Sequence, residues 1–344
     1  DARDRFDKIM EVDTAGFQLP TGKAGEAGKF VESLEGEAQS GCADWVPLMK
    51  ARDKEKPFFL WLAAVDPHRD YYENIIPEPH QPEDVIVSPY HVDNPETRAD
   101  YALYYDEITR LDRYVGLVLE ELDAQGVADN TLVLFISDNG KPFPRDKTTL
   151  YDSGIKTPWI VRWPGHAEAG TRCSQVVSVI DIAPTFLKLA NAEVDRSFQG
   201  LDFAPLLADP TKHVRRYAFA EKNWHDFEDH ARMVRDHRFK LIFNAYPDLT
   251  QTPSADSARS PTFQSILKLA DSDKLTEAQK SCITAPRPLL ELYDTEADPH
   301  ELTNLIDNPE LVDDLARLSQ ELDAWTKRTN DYVPTLRTAD EFDR

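Results

Sequence analysis

Hydrophobic and polar positions divide the chain into segments of different period. Pro57-Phe58-Phe59-Leu60-Trp61-Leu62-Ala63-Ala64-Val65 is a near-continuous apolar run. Such a run predicts a strand buried on both faces, as in a sheet covered by helices. It closes in a polar turn, Asp66-Pro67-His68-Arg69-Asp70, and a loop carrying Pro77, Pro79, Pro82, Pro89 and Pro95 follows. Tyr101, Tyr104, Ile108, Leu111, Val115, Val118 and Leu122 then recur at alternating spacings of three and four. They form one apolar stripe of a helix, with Asp, Glu and Arg on its other faces, and Gly126 fits its C-terminal stop. After Asp129-Asn130, the run Thr131-Leu132-Val133-Leu134-Phe135-Ile136 predicts a second buried strand, and Pro158-Trp159-Ile160-Val161-Arg162-Trp163 is a third apolar run. Strand, helix, strand in this order implies an α/β fold with crossover helices on a central sheet, mixed and mostly parallel. Asp181-Ile182-Ala183-Pro184-Thr185 reads as an acid-capped helix start.

Near residue 209 the texture changes. Arg232-Met233-Val234-Arg235 and Arg238-Phe239-Lys240-Leu241-Ile242-Phe243 flank Asp236-His237, which predicts a hairpin. Leu289 to Asp294 predicts another strand, and Leu311, Leu315, Leu318, Leu322 and Trp325 mark a final amphipathic helix. The expected organisation is a large α/β part over 1–208 and a smaller C-terminal α+β domain with an antiparallel sheet over 209–344. Thr250 to Pro261, rich in Ser, Ala and Pro, resembles a linker. The stretch 1–55 is weakly patterned and reads as loops and short helices.

Composition narrows the function classes. A chain of 344 residues with 41% hydrophobic residues can bury a sizeable core. No apolar run reaches the ~20 residues needed to cross a bilayer, and no secretion signal is visible at Asp1. A net charge of −23 argues against nucleic acid and anionic membranes as partners. An anionic substrate would need a local basic pocket. Cys42, Cys173 and Cys282 are far apart and form no CxxC pair, which argues against a zinc site or disulfide framework.

In open α/β sheets, ligands bind beyond the carboxyl ends of strands. Two predicted strands end in polar clusters, Asp66-Pro67-His68-Arg69 and Ser137-Asp138-Asn139-Gly140, and Arg145-Asp146-Lys147-Thr148-Thr149-Leu150-Tyr151 lies shortly after. Asp138 and Asn139 offer oxygen ligands suited to a hard cation such as Ca2+. His68 can donate a proton to a leaving group, and Lys147 can neutralise an anionic oxygen. Taken singly, Asp-Asn-Gly reads as a turn, and a loop His or Lys as a solvated side chain.

The same residues resemble the sulfatase family of the alkaline phosphatase superfamily. Pro57-Phe58-Phe59-Leu60 leading to Asp66-Pro67-His68 is similar to that family's Pro-Phe-Phe-Leu…Pro-His segment. Leu132 to Gly140 resembles its strand ending Ser-Asp-Asn-Gly, and Lys147-Thr148-Thr149-Leu150-Tyr151-Asp152-Ser153-Gly154 its K-x-T-x-Y-E-G-G segment. Pro158 to Gly165, Val179 to Thr185, and Glu291 to Leu305 with Asp298-Pro299-His300-Glu301 match further blocks in the same order, over about residues 57–326. Within the family, Asp66-Pro67-His68-Arg69, Pro142-Phe143-Pro144, Ser260-Pro261-Thr262-Phe263-Gln264 and Asp298-Pro299-His300-Glu301 resemble the heparan N-sulfatase (sulfamidase) group and its bacterial relatives. The resemblance implies calcium held by Asp138 and Asn139, His68 assisting the leaving group, and Lys147 gripping a sulfate oxygen. It further implies Arg69, Asn223, Trp224 and His225 at the sugar, a sulfated carbohydrate as substrate, and a periplasmic, secreted or lysosomal location.

The chain also departs from the family pattern. The formylglycine nucleophile of that family arises from Cys or Ser in C/S-x-P-x-R, and no such motif is present. The only adjacent Asp pair is Asp313-Asp314, in the predicted last helix. Gly22-Lys23-Ala24-Gly25 and Gly28-Lys29-Phe30-Val31 lack the His of the family's Gly-Lys-x-His segment. On the family pattern, roughly a hundred residues of the catalytic domain would precede this chain. A separate N-terminal fragment carrying the nucleophile, a truncated gene, and a module that only binds are all open. So are sulfate ester and N-sulfate as substrates, and phosphodiester or phosphonate hydrolysis by a related site.

Overall fold

The computed structural model describes residues 40–338. The Gly-Lys segments at 22–25 and 28–31 lie outside the described residues. Of these, 40–87 and 93–128 form one compact unit, and 88–92 with 129–338 form another.

The first unit contains α1 (Trp45–Ala51) and α2 (Pro95–Ala124). The side chain of Asn94 caps α2 by accepting the Thr97 N–H, and Pro95 occupies its first turn, where no amide is needed. Gly126, at φ +67°, lies just past the C-terminal end, as expected. The stripe holds in part. Tyr101, Leu111, Val118 and Leu122 are buried, but Ile108 is 38% exposed. The acidic and basic residues do not simply face water. Asp100, Asp106, Glu107 and Arg110 are each at most 4% exposed. Two of them reach the polar turn: Arg110 makes two hydrogen bonds to Asp66, of 2.7 and 2.8 Å, and Asp100 receives two from Arg69 at the same distances, while Asp106 accepts from the His80 backbone at 2.8 Å. The helix thus clamps the 66–70 turn through ion pairs that periodicity cannot reveal. The run 57–65 is not a strand among the described residues: it alternates between exposed and part-buried positions and enters no ladder. Trp61 is 80% exposed. Composition supplied the apolar character, but a strand requires a neighbour to take its amides and carbonyls.

The second unit begins with β1 (Val133–Ile136), α3 (Asp152–Ile155) and β2 (Trp159–Arg162). β1 pairs antiparallel with β2, with Val133 opposite Arg162 and Ile136 opposite Trp159. α4 (Ile182–Leu189) and α5 (Ala204–Ala208) follow. Next come β3 (Ala218–Trp224), β4 (Glu228–Arg235) and β5 (Phe239–Asn244). Three short helices, α6 (Ala255–Ala258), α7 (Pro261–Ala270) and α8 (Glu277–Lys280), precede β6 (Leu290–Asp294) and α9 (Val312–Thr329). The order β3-β4-β5-β6 is an antiparallel meander. No parallel pair occurs among the described residues, so the expected mostly parallel sheet is not assembled by them. β1 is accordingly half-buried along its length rather than enclosed on both faces.

The meander is covered on both faces, which explains why β4 is almost wholly buried. Val234, Leu241 and Leu292 pack under Leu318 and Leu322 of α9. The alternate positions Ala231, Met233, Ile242 and Tyr293 pack against Leu150, Tyr151 and Ile155. The loop that carries Lys147 therefore rests on the sheet face opposite α9. The stretch 250–261 is not a linker: Gln251, Ser254, Ser257 and Ser260 are buried, and Ser260 caps α7. Its small polar residues serve tight turns and caps rather than flexibility.

Candidate functional site

The segment from Asp138 to Gly154 is closed on itself by backbone contacts that leave no room for side chains. The Gly140 N–H donates to the Gly154 carbonyl over 2.8 Å. A Cβ on Gly140 would lie 1.8 Å from the Ser153 carbonyl oxygen, and one on Gly154 would lie 2.4 Å from that of Asp146. Only glycine permits this approach. Arg145 and Thr148 sit at φ +66° and +70°. A β-branched residue in this region is costly, and such strain is held where surrounding contacts over-determine it. Those contacts are present. The Arg145 guanidinium donates to the His300 and Glu301 carbonyls at 3.0 and 2.6 Å and stacks 3.7 Å over the Tyr151 ring. Asp146, fully buried, accepts from Tyr90 at 2.6 Å and pairs with Lys141 at 3.1 Å. Burial raises its carboxyl pKa, and burial beside Asp146 pushes the Tyr90 phenol up to about 12. Below the loop, Lys240 is fully buried between Asp152 and Glu301. Burial alone would raise Asp152, but Lys240 and Arg235 outweigh it and hold this carboxyl at about 2. The Asp-Pro-His-Glu block near residue 300 thus anchors the lysine loop from more than a hundred residues away.

Lys147 is 7% exposed and its ammonium lies 3.1 Å from the Asp256 carboxylate. Asp256 sits in α6, and the preceding Ala255 N–H donates to Asp226 at 2.6 Å. The same Asp226 oxygen lies 2.8 Å from His225 Nδ1. Asp226 belongs to the β3–β4 turn, where Trp224 faces Glu228 beyond a bulge at Asn223. Asn223, Trp224 and His225 are all exposed at this tip. Asp229, just behind the tip, holds Lys222 at 2.9 Å and Arg287 at 2.7 and 2.8 Å. Within the second unit, then, the 138–154 loop, the 254–257 turn and the 223–226 tip form one connected cluster. Asp226 and Asp256 were not singled out from sequence, because nothing in their neighbourhood distinguishes them from other turn carboxylates.

Asp138 is exposed, and one of its oxygens accepts the Asn139 N–H at 2.8 Å. The Asn139 side-chain amide donates to the Gly140 carbonyl at 2.7 Å, so its nitrogen is engaged within the loop and its oxygen is the atom suited to a cation. Two hard oxygen donors side by side match the chemistry of calcium, which takes six to eight such ligands. No group of three or more His, Cys, Asp or Glu side chains placed to hold a metal occurs among the described residues. The donor type of Asp138 and Asn139 is the one a hard cation takes.

His68 and Arg69 belong to the first unit. His68 is exposed, with the Arg69 carbonyl beside Nδ1. That contact favours a proton on Nδ1. Arg69, expected at a sugar anion, is 7% exposed, paired with Asp100 and stacked 4.5 Å from Tyr71. Its buried guanidinium is committed to a carboxylate of its own helix clamp.

Comparison with known proteins identifies related chains. A family model described as Sulfatase matches residues 38–192, and one described as N-sulphoglucosamine sulphohydrolase, C-terminal, matches residues 143–284. An ulvan-active sulfatase of Formosa agariphila is 37% identical over 247 residues, covering 71% of this chain and 41% of that protein. Human N-sulphoglucosamine sulphohydrolase is 32% identical over 314 residues, covering 80% of this chain and 62% of its own. The chain thus spans about half the length of these curated relatives. A solved structure described as a complex with its substrate D-glucosamine-2-N,6-O-disulfate superposes with a TM-score of 0.53 at 24% identity, over 70% of this chain and 44% of that one. This likeness shows a shared α/β fold of the alkaline-phosphatase type. From the matched models and these relatives, the chain belongs to the sulfatase family.

Proposed function

We propose that this protein works in the hydrolysis of sulfate from a sulfated glycan, as a sulfate ester or an N-sulfate. The observation that carries this reading is the closed 138–154 loop, which holds two cation-type oxygen donors and the lysine in one braced segment, linked through Asp256 and Asp226 to the exposed tip at Trp224. In this reading Lys147 holds a sulfate oxygen and stabilises charge that grows as sulfur is transferred. His68 is the acid that protonates the departing alcohol or amine. Trp224 offers an apolar ring face to a sugar, with Asn223 and His225 beside it as hydrogen-bonding groups. Arg69 contributes by fixing the turn that presents His68. Asp138 and Asn139 would be two of the oxygen ligands of Ca2+, which supplies Lewis-acid charge at the sulfate. The family's formylglycine nucleophile arises from a C/S-x-P-x-R motif, which the sequence given does not contain. The mostly parallel sheet, the division at 208/209 and a periplasmic, secreted or lysosomal setting belong to the same proposal. Among the described residues, no helix is long and apolar enough to cross a membrane.

The test is sulfate release by the native protein, with every chain it carries, from N-sulfated and 6-O-sulfated glucosamine and from ulvan oligosaccharides, followed by ion chromatography. Turnover that falls about 10²-fold or more in Lys147→Ala supports the reading. Glycan binding without turnover, in material whose intact mass shows a formylglycine-bearing chain, would replace it with a binding role.

A further inference from the structure

The contact between Lys147 and Asp256 has a property unusual for a salt bridge at a binding site: its acidic partner is fixed independently of the lysine. Ser257 donates its backbone N–H to Asp256 Oδ1 at 2.8 Å, while Lys147 lies against the other oxygen, Oδ2, at 3.1 Å. The Asp226 carboxylate pins the preceding Ala255 amide. Ser254 and Ser257, on either side, are buried and joined through their hydroxyls at 3.0 Å. Burial would raise the Asp256 carboxyl, yet the Ser254 hydrogen bond and Lys147 more than offset it and hold it at about 2, so it is ionised across the working range of any such enzyme. Both side chains are largely withdrawn from solvent, at 9% and 13% exposure. At this distance and burial their attraction is not screened away as an exposed pair's would be.

We propose that Asp256 is an internal anion that competes with sulfate for the Lys147 ammonium, so that the site holds free sulfate weakly and keeps its affinity for ligands that also engage the sugar-facing tip. This rests on the reading of Lys147 as the sulfate grip. A carboxylate and a sulfate both present oxygen acceptors to an ammonium, so an incoming sulfate must share or displace Oδ2. Because Asp256 is preorganised by its own turn, it does not swing away at no cost. Its charge also repels a sulfate oxygen held at Lys147. The consequence is specificity set by a difference: an inorganic sulfate ion gains only the groups that face its oxygens, Lys147 among them, whereas a sulfated sugar adds contacts at Asn223, Trp224 and His225. The same competition favours release of inorganic sulfate.

The experiment is calorimetric titration of the chain with sodium sulfate at low ionic strength, which needs no nucleophile. It compares the parent with Asp256→Asn, Lys147→Ala and the double variant. Asparagine keeps an oxygen to accept the Ser257 amide, and Asp256→Ser, which keeps a hydroxyl acceptor, serves as a second charge-removing variant if the first melts early. The expected result is sulfate binding about tenfold tighter in Asp256→Asn and a loss of that gain in the double variant, which also subtracts any sulfate bound elsewhere. If removing the charge leaves affinity unchanged or weakens it while Lys147→Ala still reduces binding, Asp256 is a structural partner and the inference is overturned, with the Lys147 reading intact. If neither Lys147→Ala nor the double variant differs from the parent, the sulfate grip lies elsewhere and both fall together.

Discussion

His68 shows how much a single residue's place conveys. It stands at the end of an apolar run, in a turn whose neighbours Asp66 and Arg69 are both held by α2. Its Nδ1 lies against the Arg69 carbonyl, and the proposed reading makes it the acid for the leaving group. His68→Ala should therefore lower kcat by about 10²–10³-fold on sugar sulfates, whose alkoxide or amide leaving groups need a proton, and by much less on an aryl sulfate with an acidic phenol. Equal losses on both substrates would remove His68 from the leaving group. From sequence, His68, Asp138 and Asn139 were singled out because they follow apolar runs, and Lys147 because it lies shortly after the second; their roles belong to the proposed reading. Asp256, Asp226 and Asp100 were not singled out. Their roles depend on partners such as Lys147, 109 residues away from Asp256, and no local spacing encodes such a pairing.

At the scale of elements, α2 behaves less like an amphipathic surface helix than its apolar stripe suggests. Its polar side holds Glu107 against Arg110 and beside Asp66. Burial first, then the negative charge of Asp66, push the Glu107 carboxyl from its ordinary 4.5 up to about 9, with Arg110 offsetting only part of this. The folded protein therefore keeps a proton there that the unfolded chain releases above 4.5. Stability falls as pH rises between 4.5 and about 9, because the folded state binds more protons throughout that window. Glu107→Gln retains an oxygen for Arg110 and has no proton to lose. It should be close to neutral near pH 4.5 and stabilising at pH 8, by up to about 5 kcal/mol in urea unfolding. A gain of the same size at both pH values would show that packing rather than protonation is responsible. The hairpin at Asp236-His237, the strand ending at Asp294 and the last helix all appear where their periods predict, since each has a regular face against a packed partner. The run 57–65 does not form its expected strand among the described residues, since apolar composition alone supplies no hydrogen-bonding neighbour.

The whole molecule carries a net charge of −23, which opposes the approach of any sulfated polymer. Lys147 and the hairpin tip act at short range, whereas this repulsion acts over the Debye length, which shrinks from ~30 Å at about 0.01 M salt to ~8 Å at about 0.15 M. Over that range kcat/KM for a sulfated oligosaccharide should rise relative to that for a sulfated monosaccharide, by about twofold or more. A ratio that falls with salt would mean that an attractive basic path, rather than the overall charge, governs polymer binding.

The sequence by itself determined the family, the positions of the regular helices and antiparallel strands, and the few polar residues that end the apolar runs. These follow from local period, from turn chemistry and from motif order, all of which are written along the chain. Tertiary structure alone decided that Arg69 is spent on Asp100, that the Asp-Pro-His-Glu block braces the Lys147 loop through Arg145 and Lys240, and that Asp256 rather than solvent meets the Lys147 ammonium. Charged side chains choose among many carboxylates of similar local sequence, and the choice is made by burial and distance, which exist only once the chain has folded.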